Sequence, residues 1–479
     1  MNLYPVHRLL SPLFAPSRKV LTATVGVLLL SGCASVTSPT FDATAVVPEQ
    51  WQGGDRALGA TRILSGPHLE WWQSFGNAEL DRLMMAAMNE SFTLQASLER
   101  IEQARARLVS SRSTLWPQLD AGYSFSRSEQ WQSGDRSHYE SDRFSMSAGY
   151  EVDLWGRVRA GVRASQASLE ASEFAHLGSR LSLQAELAGA YLQWLAAQDR
   201  LEYARSSLTV SEEVLRLIEL QYREGSASQL ELVQQLASVA SQRTQIHDLE
   251  NARTQIRYAI AVLTGQPPGS LVLTGHSLAD LHLPVIEPEQ PAELLQRRPD
   301  LLQAERQLEA ANASVVVARA ALFPSLRLSA SAGTVSLLTG GVSSSTLGLG
   351  ANLAQPLFQA GRLRADIAAA QSGEREVLAN YYQTALQAIL EVENVLSDLA
   401  TQDRNRELET ESLALAERAY ELADLRYRSG ASDYLTLLDA QRSLITRRDS
   451  FVQFELSRYQ SALNLYRALG GSWWTEADS

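Results

Sequence analysis

The chain has 479 residues, of which 45% are hydrophobic and 20% are charged, and its formal net charge is −12. This composition is ordinary for a folded protein and fits either several domains or one repeated architecture. By its overall charge the chain is not a nucleic-acid binder. After residue 33 no stretch is apolar enough over eighteen residues to form a membrane-spanning helix, so any membrane crossing must use strands.

The N-terminal segment has the order of a secretory signal. Arg18 and Lys19 precede an apolar run over residues 20–30, which is too short to cross a bilayer. We therefore predict a lipoprotein signal peptide over 1–32. Its removal would take away Arg8 as well and bring the net charge from −12 to −15.

The apolar run ends in a tetrapeptide that resembles the lipobox of bacterial lipoproteins, Leu30-Ser31-Gly32-Cys33. The resemblance implies lipidation at Cys33, followed by a lipid-anchored extended segment over 33–70. Cys33 is the single cysteine, which excludes an internal disulfide and a cysteine metal cluster. Ala34 stands where an aspartate would favour retention in the inner membrane, so the outer membrane is expected. The alternative is an incidental thiol.

Short motifs occur twice in the chain, about 205 residues apart. The pairs are Leu115-Trp116-Pro117-Gln118-Leu119 with Leu322-Phe323-Pro324-Ser325-Leu326, Tyr222-Arg223-Glu224-Gly225 with Tyr427-Arg428-Ser429-Gly430, and Leu263-Thr264-Gly265 with Ala468-Leu469-Gly470. They predict a tandem duplication. Its parts are a first repeat over 71–270, a linker over 271–290, a second repeat over 291–470 and a tail over 471–479.

Each repeat contains a long span without proline, in which one glycine divides the helical pattern. The spans predict long helices over 157–224 and 362–429, each about 100 Å in length. Return helices are predicted over 226–264 and 431–468. Apolar residues seven apart predict coiled-coil pairing. They are Leu201, Leu208, Leu215 and Tyr222; Leu249, Ile256 and Leu263; and Leu437, Leu444 and Phe451.

A period of two replaces the helical period over 116–154, and more weakly over 325–357. Each segment predicts a β-hairpin of roughly ten-residue strands, apolar on one face and small or polar on the other. Four strands are too few to close a barrel, because known barrels need at least about eight. If the hairpins are membranous, the barrel must be shared between copies. The alternative is a pair of surface hairpins on a soluble core.

The order of these features resembles the TolC-type outer-membrane efflux proteins, and most closely their lipid-anchored OprM/NodT-like branch. The most specific stretch runs over 427–444 and includes Tyr434-Leu435-Thr436-Leu437-Leu438-Asp439-Ala440-Gln441-Arg442. The resemblance implies a mainly α fold with membrane β-strands. Tandem-duplicated coiled-coil helices would form an α-barrel, and two hairpins per chain would contribute to a shared 12-stranded trimeric β-barrel.

The resemblance also implies two sets of functional residues. The adaptor-docking tips would be Gly225, Ser226 and Ala227 in the first repeat and Gly430, Ala431 and Ser432 in the second. The periplasmic gate would consist of Leu435, Asp439, Arg442, Tyr427 and Glu231. Three copies of Leu435 and Asp439 would make an apolar and an acidic ring, with Arg442 and Tyr427 as candidate locks. The alternatives are an ordinary helix connection and a solvated acid.

The predicted function is an outer-membrane channel-tunnel of a tripartite efflux pump, a passive exit duct for drugs or other small molecules. The expected partners are two further copies of the chain, a periplasmic adaptor, an inner-membrane resistance-nodulation-division pump and outer-membrane lipid. No catalytic, phosphate-binding or metal-binding motif is present, so we predict neither an enzyme nor a cofactor. The alternatives are a type I protein-secretion channel and a lipid-anchored periplasmic coiled-coil scaffold or adaptor.

Overall fold

The computed structural model describes residues 48, 50–52, 70–132, 135–284, 291–337 and 342–471. Several residues of the sequence-based predictions lie outside this part of the chain. They are the signal peptide over 1–32, Cys33, most of the predicted lipid-anchored segment over 33–70, the end of the predicted linker over 285–290 and the tail beyond residue 471.

The two repeats contain the same elements in the same order. The first has α1 (Ala78–Glu90), α2 (Phe92–Ser113), β1 (Gln118–Gln132), β2 (Asp135–Val152), α3 (Arg157–Arg223) and α4 (Gln229–Leu263). The second has α5 (Leu294–Arg297), α6 (Pro299–Ala320), β3 (Ser325–Leu337), β4 (Val342–Ala354), α7 (Arg362–Arg428) and α8 (Tyr434–Ala468). Short 3₁₀ turns lie at Trp71–Phe75, Leu278–Asp280 and Pro291–Glu293.

The long helices of the two repeats are equal in length. Helices α3 and α7 have 67 residues each, and α4 and α8 have 35 each. At 1.5 Å per residue each long helix extends about 100 Å. Alanine, leucine, glutamine, glutamate and arginine dominate these helices and favour helical backbone. Among the described residues, no helix is both long and apolar enough to span a membrane.

The four strands form one antiparallel sheet in the order β1-β2-β3-β4. Directly paired residues share a face of the sheet. One row of directly paired residues across the four strands is Leu119, Ala148, Ala330 and Leu349. On the same face, four residues along the strands, Tyr123 pairs with Phe144. The opposite face carries small and polar residues such as Asp120, Ser147, Ser331 and Gly348. The sheet therefore has one apolar face near the helices, and this face becomes polar at the far end of the strands, where Phe125 pairs with Asp142 and Asp142 pairs with Ser336.

The main apolar core surrounds the middle of α3. Tyr191, Leu187 and Leu195 of α3 are fully buried there, together with Trp72 and Ile260. The Trp71 ring stacks on Tyr466 of α8 at 4.6 Å between centroids. Tryptophans 71 and 72 thus belong to a protein core rather than to an exposed anchoring surface. This core joins α1, α3, α4, α8 and the segment after α4 into one body.

The coiled-coil seam differs in part from the sevenfold pattern read in the sequence. Leu201, Leu249 and Leu437 are buried as predicted, but Tyr222 is 42% exposed. Towards the end of α3 the buried positions are Ser207, Ser211, Val214 and Ile218. The prediction that Tyr222 continues the seam was wrong, because the buried positions here are Ser211, Val214 and Ile218, and their spacing of three and four residues next falls one position before Tyr222.

Candidate functional site

Both long helices end in the same tight turn. Gly225 and Gly430 have φ values of +76° and +73°, a region that glycine enters without steric cost. The Gly225 amide donates to the carbonyl of Tyr222 at 3.1 Å and the Ser226 amide to that of Gln221 at 2.8 Å. This pattern is a Schellman motif, and Gly430 and Ala431 repeat it with Tyr427 and Arg426. Both turns stop their helix at a defined residue.

The return helices begin with different caps. In α4 the Ser228 hydroxyl accepts from the Glu231 amide, and the Glu231 carboxylate accepts from the Ser228 amide at 2.8 Å, which completes a capping box. In α8 the Asp433 carboxylate accepts from the Thr436 amide at 2.9 Å. The Glu231 carboxylate, predicted as a gate residue, is therefore engaged in holding the start of its own helix.

Three of the predicted gate residues lie on one exposed face of α8. Leu435 is 55% exposed, and Asp439 and Arg442 follow it at intervals of four and three residues. This spacing places all three on the same side of the helix. Among the described residues, neither Asp439 nor Arg442 forms an ion pair within the chain. This face of α8 therefore presents an apolar side chain, a carboxylate and a guanidinium, and the two charged groups can pair with groups outside the chain.

Tyr427 lies on the opposite, buried side of the tip. Its hydroxyl donates to the side-chain oxygen of Gln221 at 2.9 Å, and its ring packs edge-to-face on Tyr434 at 6.2 Å. Burial, and then the nearby charge of Glu231, raise the pKa of Tyr427. The Tyr427 hydroxyl therefore stays protonated at neutral pH and remains a donor. Within one chain its partner is Gln221 rather than Asp439.

A buried polar network, centred on Ser211, connects three helices just inside the tips. The Ser211 hydroxyl of α3 accepts from the amide groups of Gln242 in α4 at 2.6 Å and Gln441 in α8 at 2.7 Å. Gln235 of α4 donates to the Ser211 carbonyl at 2.8 Å and accepts from the Tyr434 hydroxyl at 2.8 Å. Ser211 and Gln235 are fully buried.

This Ser211 network joins the α3/α4 hairpin to the first turns of α8. Buried amides that lose their partners carry the full cost of desolvation, about 1–3 kcal/mol for each group. Any movement of α8 away from α3 must break the bond between Gln441 and Ser211. The network therefore holds in place the helix that carries Leu435, Asp439 and Arg442.

The sequence-based interpretation missed Ser211, Gln235, Gln242 and Gln441. A signal was present, because Gln235, Val239, Gln242, Ile246 and Leu249 alternate at spacings of four and three, as seam positions do. The apolar pattern alone does not show this seam, because Gln235 and Gln242 occupy two of its five positions. Polar side chains at such positions fix the register of paired helices.

In the part of the chain that the structure describes, no group of acidic, histidine or cysteine side chains is arranged to hold a metal ion.

The chain matches one protein family over most of its length. Residues 83–266 and 291–471 match the outer membrane efflux protein family, one segment for each repeat. The chain is 38% identical over 473 residues to the pyoverdine export outer membrane protein OpmQ of Pseudomonas aeruginosa, covering 95% of this chain and 98% of that protein. It is 31% identical to the antibiotic efflux pump outer membrane protein ArpC of Pseudomonas putida, covering 96% and 97%.

A solved structure has the same fold. The outer-membrane channel OprN superposes with a TM-score of 0.81 at 28% sequence identity, covering 91% of this chain and 99% of that one. This similarity confirms the predicted fold class of long duplicated helices joined to a small sheet.

Proposed function

We propose that this chain, which belongs to the outer membrane efflux protein family, is the outer-membrane channel-tunnel of a tripartite efflux pump. It is a passive exit duct, and energy comes from its partners. The sequence-based prediction of family and function is confirmed by the family match and by efflux relatives that cover nearly the whole chain.

One observation carries the assignment to a duct, namely the sheet. One of its faces is apolar over the rows of paired residues from Val152 to Met146, and its two outer strands, β1 and β4, pair on one side only. Open sheet edges are not tolerated in hydrocarbon, where every backbone polar group needs a partner. Three copies supplying four strands each would close a twelve-stranded barrel and satisfy both edges. The helices, about 100 Å long, would then continue the duct across the periplasm.

The proposed partners follow from this arrangement. Channels of this family work as trimers with a periplasmic adaptor and an inner-membrane resistance-nodulation-division pump. For this chain we propose in addition an anchor of outer-membrane lipid at Cys33, supported by the tetrapeptide that ends there. The duplicated organisation, with repeats over 71–270 and 291–470, would give each trimer six helical tips.

The exit duct is proposed to close at its tip, where Leu435 and Asp439 of three copies would face one another. Their shared exposed face on α8 supports this position. Arg442 would pair with a neighbouring copy. The two Schellman turns, with Ser226, Ala227, Ala431 and Ser432 beside them, would receive the adaptor, since small side chains permit close helix approach.

The cargo is proposed to be small organic molecules. One relative is named for export of pyoverdine and another for antibiotic efflux. A decisive experiment combines two measurements on the full chain. The purified trimer should conduct ions in planar bilayers, and deletion of the gene should raise intracellular retention of siderophores or antibiotics. Loss of protein secretion with unchanged small-molecule retention would favour a type I secretion channel. A monomer without conductance would favour a periplasmic scaffold.

A further inference from the structure

A cleft of about 580 Å³ lies between α3, α4 and the segment that follows α4, away from the sheet and the tips. Its walls include Trp194 and Gln198 of α3, Arg253 and Arg257 of α4, and Val272 and Leu273 of the following segment. The volume falls within the range of about 300–1,000 Å³ that small-molecule sites occupy. The lining of the cleft therefore contains both positively charged and apolar side chains.

The two arginines lack the partners that other arginines of these helices have. Arg205 pairs with Glu250 at 2.6 Å and Arg243 with Glu212 at 2.7 Å. Arg253, in contrast, donates to the neutral side-chain oxygen of Gln198 at 2.7 Å. Among the described residues, neither Arg253 nor Arg257 forms an ion pair. Two cations on successive turns of one helix thus face a cleft without a counter-charge.

Arg257 supplies the sharper observation. Its Nε atom is buried and has no hydrogen-bond partner among the described residues. Its guanidinium lies over the Tyr258 ring, 5.5 Å from the centroid, a contact that offers no oxygen to the N–H. A buried donor without an acceptor is costly unless a ligand completes it. The Arg257 guanidinium therefore has neither a counter-charge nor a full set of acceptors, and an anion in the cleft would supply the missing charge.

Two acidic residues of the same chain near the cleft, Glu250 and Glu79, already have partners. Glu250 binds Arg205, and Glu79 accepts from the amides of Thr274 and Gly275 at 2.7 and 2.8 Å. The bonds to Glu79 also hold the outer wall of the cleft in position. Neither acid can turn to the arginines without giving up its own partners.

We propose that this cleft binds a small organic carboxylate with an apolar body. The carboxylate would accept from Arg257 and Arg253, because a guanidinium fork matches its geometry and charge. The body would lie against Val272, which is 77% exposed, and the edge of Trp194. The site lies away from the sheet and the tips, and the proposal does not depend on channel activity.

The test uses the full chain purified in detergent and two matched probes, N-acetyl-L-leucine and its neutral amide. Titration calorimetry or ligand-observed NMR should show saturable binding of the acid, about tenfold tighter than that of the amide, since charge-assisted bonds account for the difference. Equal binding of the two probes, no saturable binding, or tighter binding of inorganic phosphate than of the acid would overturn the proposal.

Three variants locate the binding. Arg257→Gln should weaken acid binding about tenfold by removing the guanidinium fork. Val272→Asp should weaken it as well, and its exposed position protects the fold. The control Arg243→Gln lies on the same helix and faces Glu212 instead. It should leave binding unchanged, and an equal loss in this control would contradict the site.

Discussion

The Tyr434 hydroxyl donates to the side-chain oxygen of Gln235 at 2.8 Å, and this bond joins the return helices of the two repeats. The two residues lie 199 positions apart in sequence. The pKa of Tyr434 is raised to about 12, chiefly by burial, so the hydroxyl remains protonated and donates throughout the physiological range. The bond is one edge of the Ser211 network, and the predicted effects of changing that network follow from its burial.

Replacement of Ser211 by alanine should loosen the tip. The change leaves the side-chain amides of Gln242 and Gln441 without their shared acceptor, at a cost of about 1–3 kcal/mol. Hydrogen exchange of the first turns of α8 should accelerate, and basal channel conductance should rise. Ser206→Ala, at an exposed position of the same helix, is the control. Equal exchange rates in the two variants would show that the network does not restrain α8.

The double variant Asp439→Ala/Arg442→Ala should raise single-channel conductance, on the order of twofold, because it removes a charged constriction. Planar-bilayer recording and antibiotic leakage measure the effect. Asp403→Ala/Arg404→Ala removes an exposed acid and base from α7 and is the matched control. Unchanged conductance in the Asp439 variant would remove these residues from the aperture.

Two glycine-to-alanine changes should have opposite signs. Gly430→Ala places a side chain at a φ of +73° and should destabilise the tip by about 1–2 kcal/mol. Gly373→Ala lies inside α7 with open space around it and should stabilise that helix by about 1 kcal/mol. Thermal unfolding measures both. If the turn receives the adaptor, pull-down of the adaptor should fall with Gly430→Ala only.

The ionisation of Glu79 should make the stability of the fold depend on pH in the acid range. Burial alone would raise its pKa, but bonds from Thr274, Gly275 and Tyr191 lower it below the ordinary value of 4.5. A depressed folded-state pKa contributes stability that is complete above the unfolded value and is lost as pH falls through the folded value. The melting-temperature gap between wild type and Glu79→Gln should therefore shrink below about pH 4.5. The exposed Glu102→Gln control should show no gap, and a constant gap for Glu79→Gln would contradict the prediction.

Cys33→Ser should abolish labelling with radioactive palmitate, because the serine hydroxyl cannot replace the thiol in lipidation. Ala34→Asp should keep the label but move the protein to the inner-membrane fraction of a density gradient. Labelling that persists in Cys33→Ser would exclude the lipid anchor.

The sequence predicts the long helices and their ends well, since proline, glycine and apolar period are local signals. Gly225 and Gly430 have the positive φ that a helix-ending glycine is expected to adopt. The polar seam was not predicted, because Ser211 resembles any solvated serine until two glutamines from other helices meet it. Its role arises from contacts that span 31 and 230 residues.

The gate was predictable only to the level of a helix face. Periodicity places Leu435 and Asp439 on one side of α8, but their meeting with copies of themselves is a property of the assembly. For Glu231 the sequence offered an acid near the tip, whereas its capping-box bonds to Ser228 depend on local backbone geometry. Sequence periodicity therefore does not predict which of two possible partners such a side chain contacts.

The matched lengths of the helices restrict how this protein can change over time. Helices α3 and α7 begin and end 205 positions apart, and so do α4 and α8. An insertion in α3 alone would push one turn beyond the other and shift α4 out of register with it. Lengthening these helices would thus require coordinated insertions of whole heptads in all four of them, α3, α4, α7 and α8. Insertions and deletions should therefore accumulate in the linkers and strand turns and be nearly absent from these four helices.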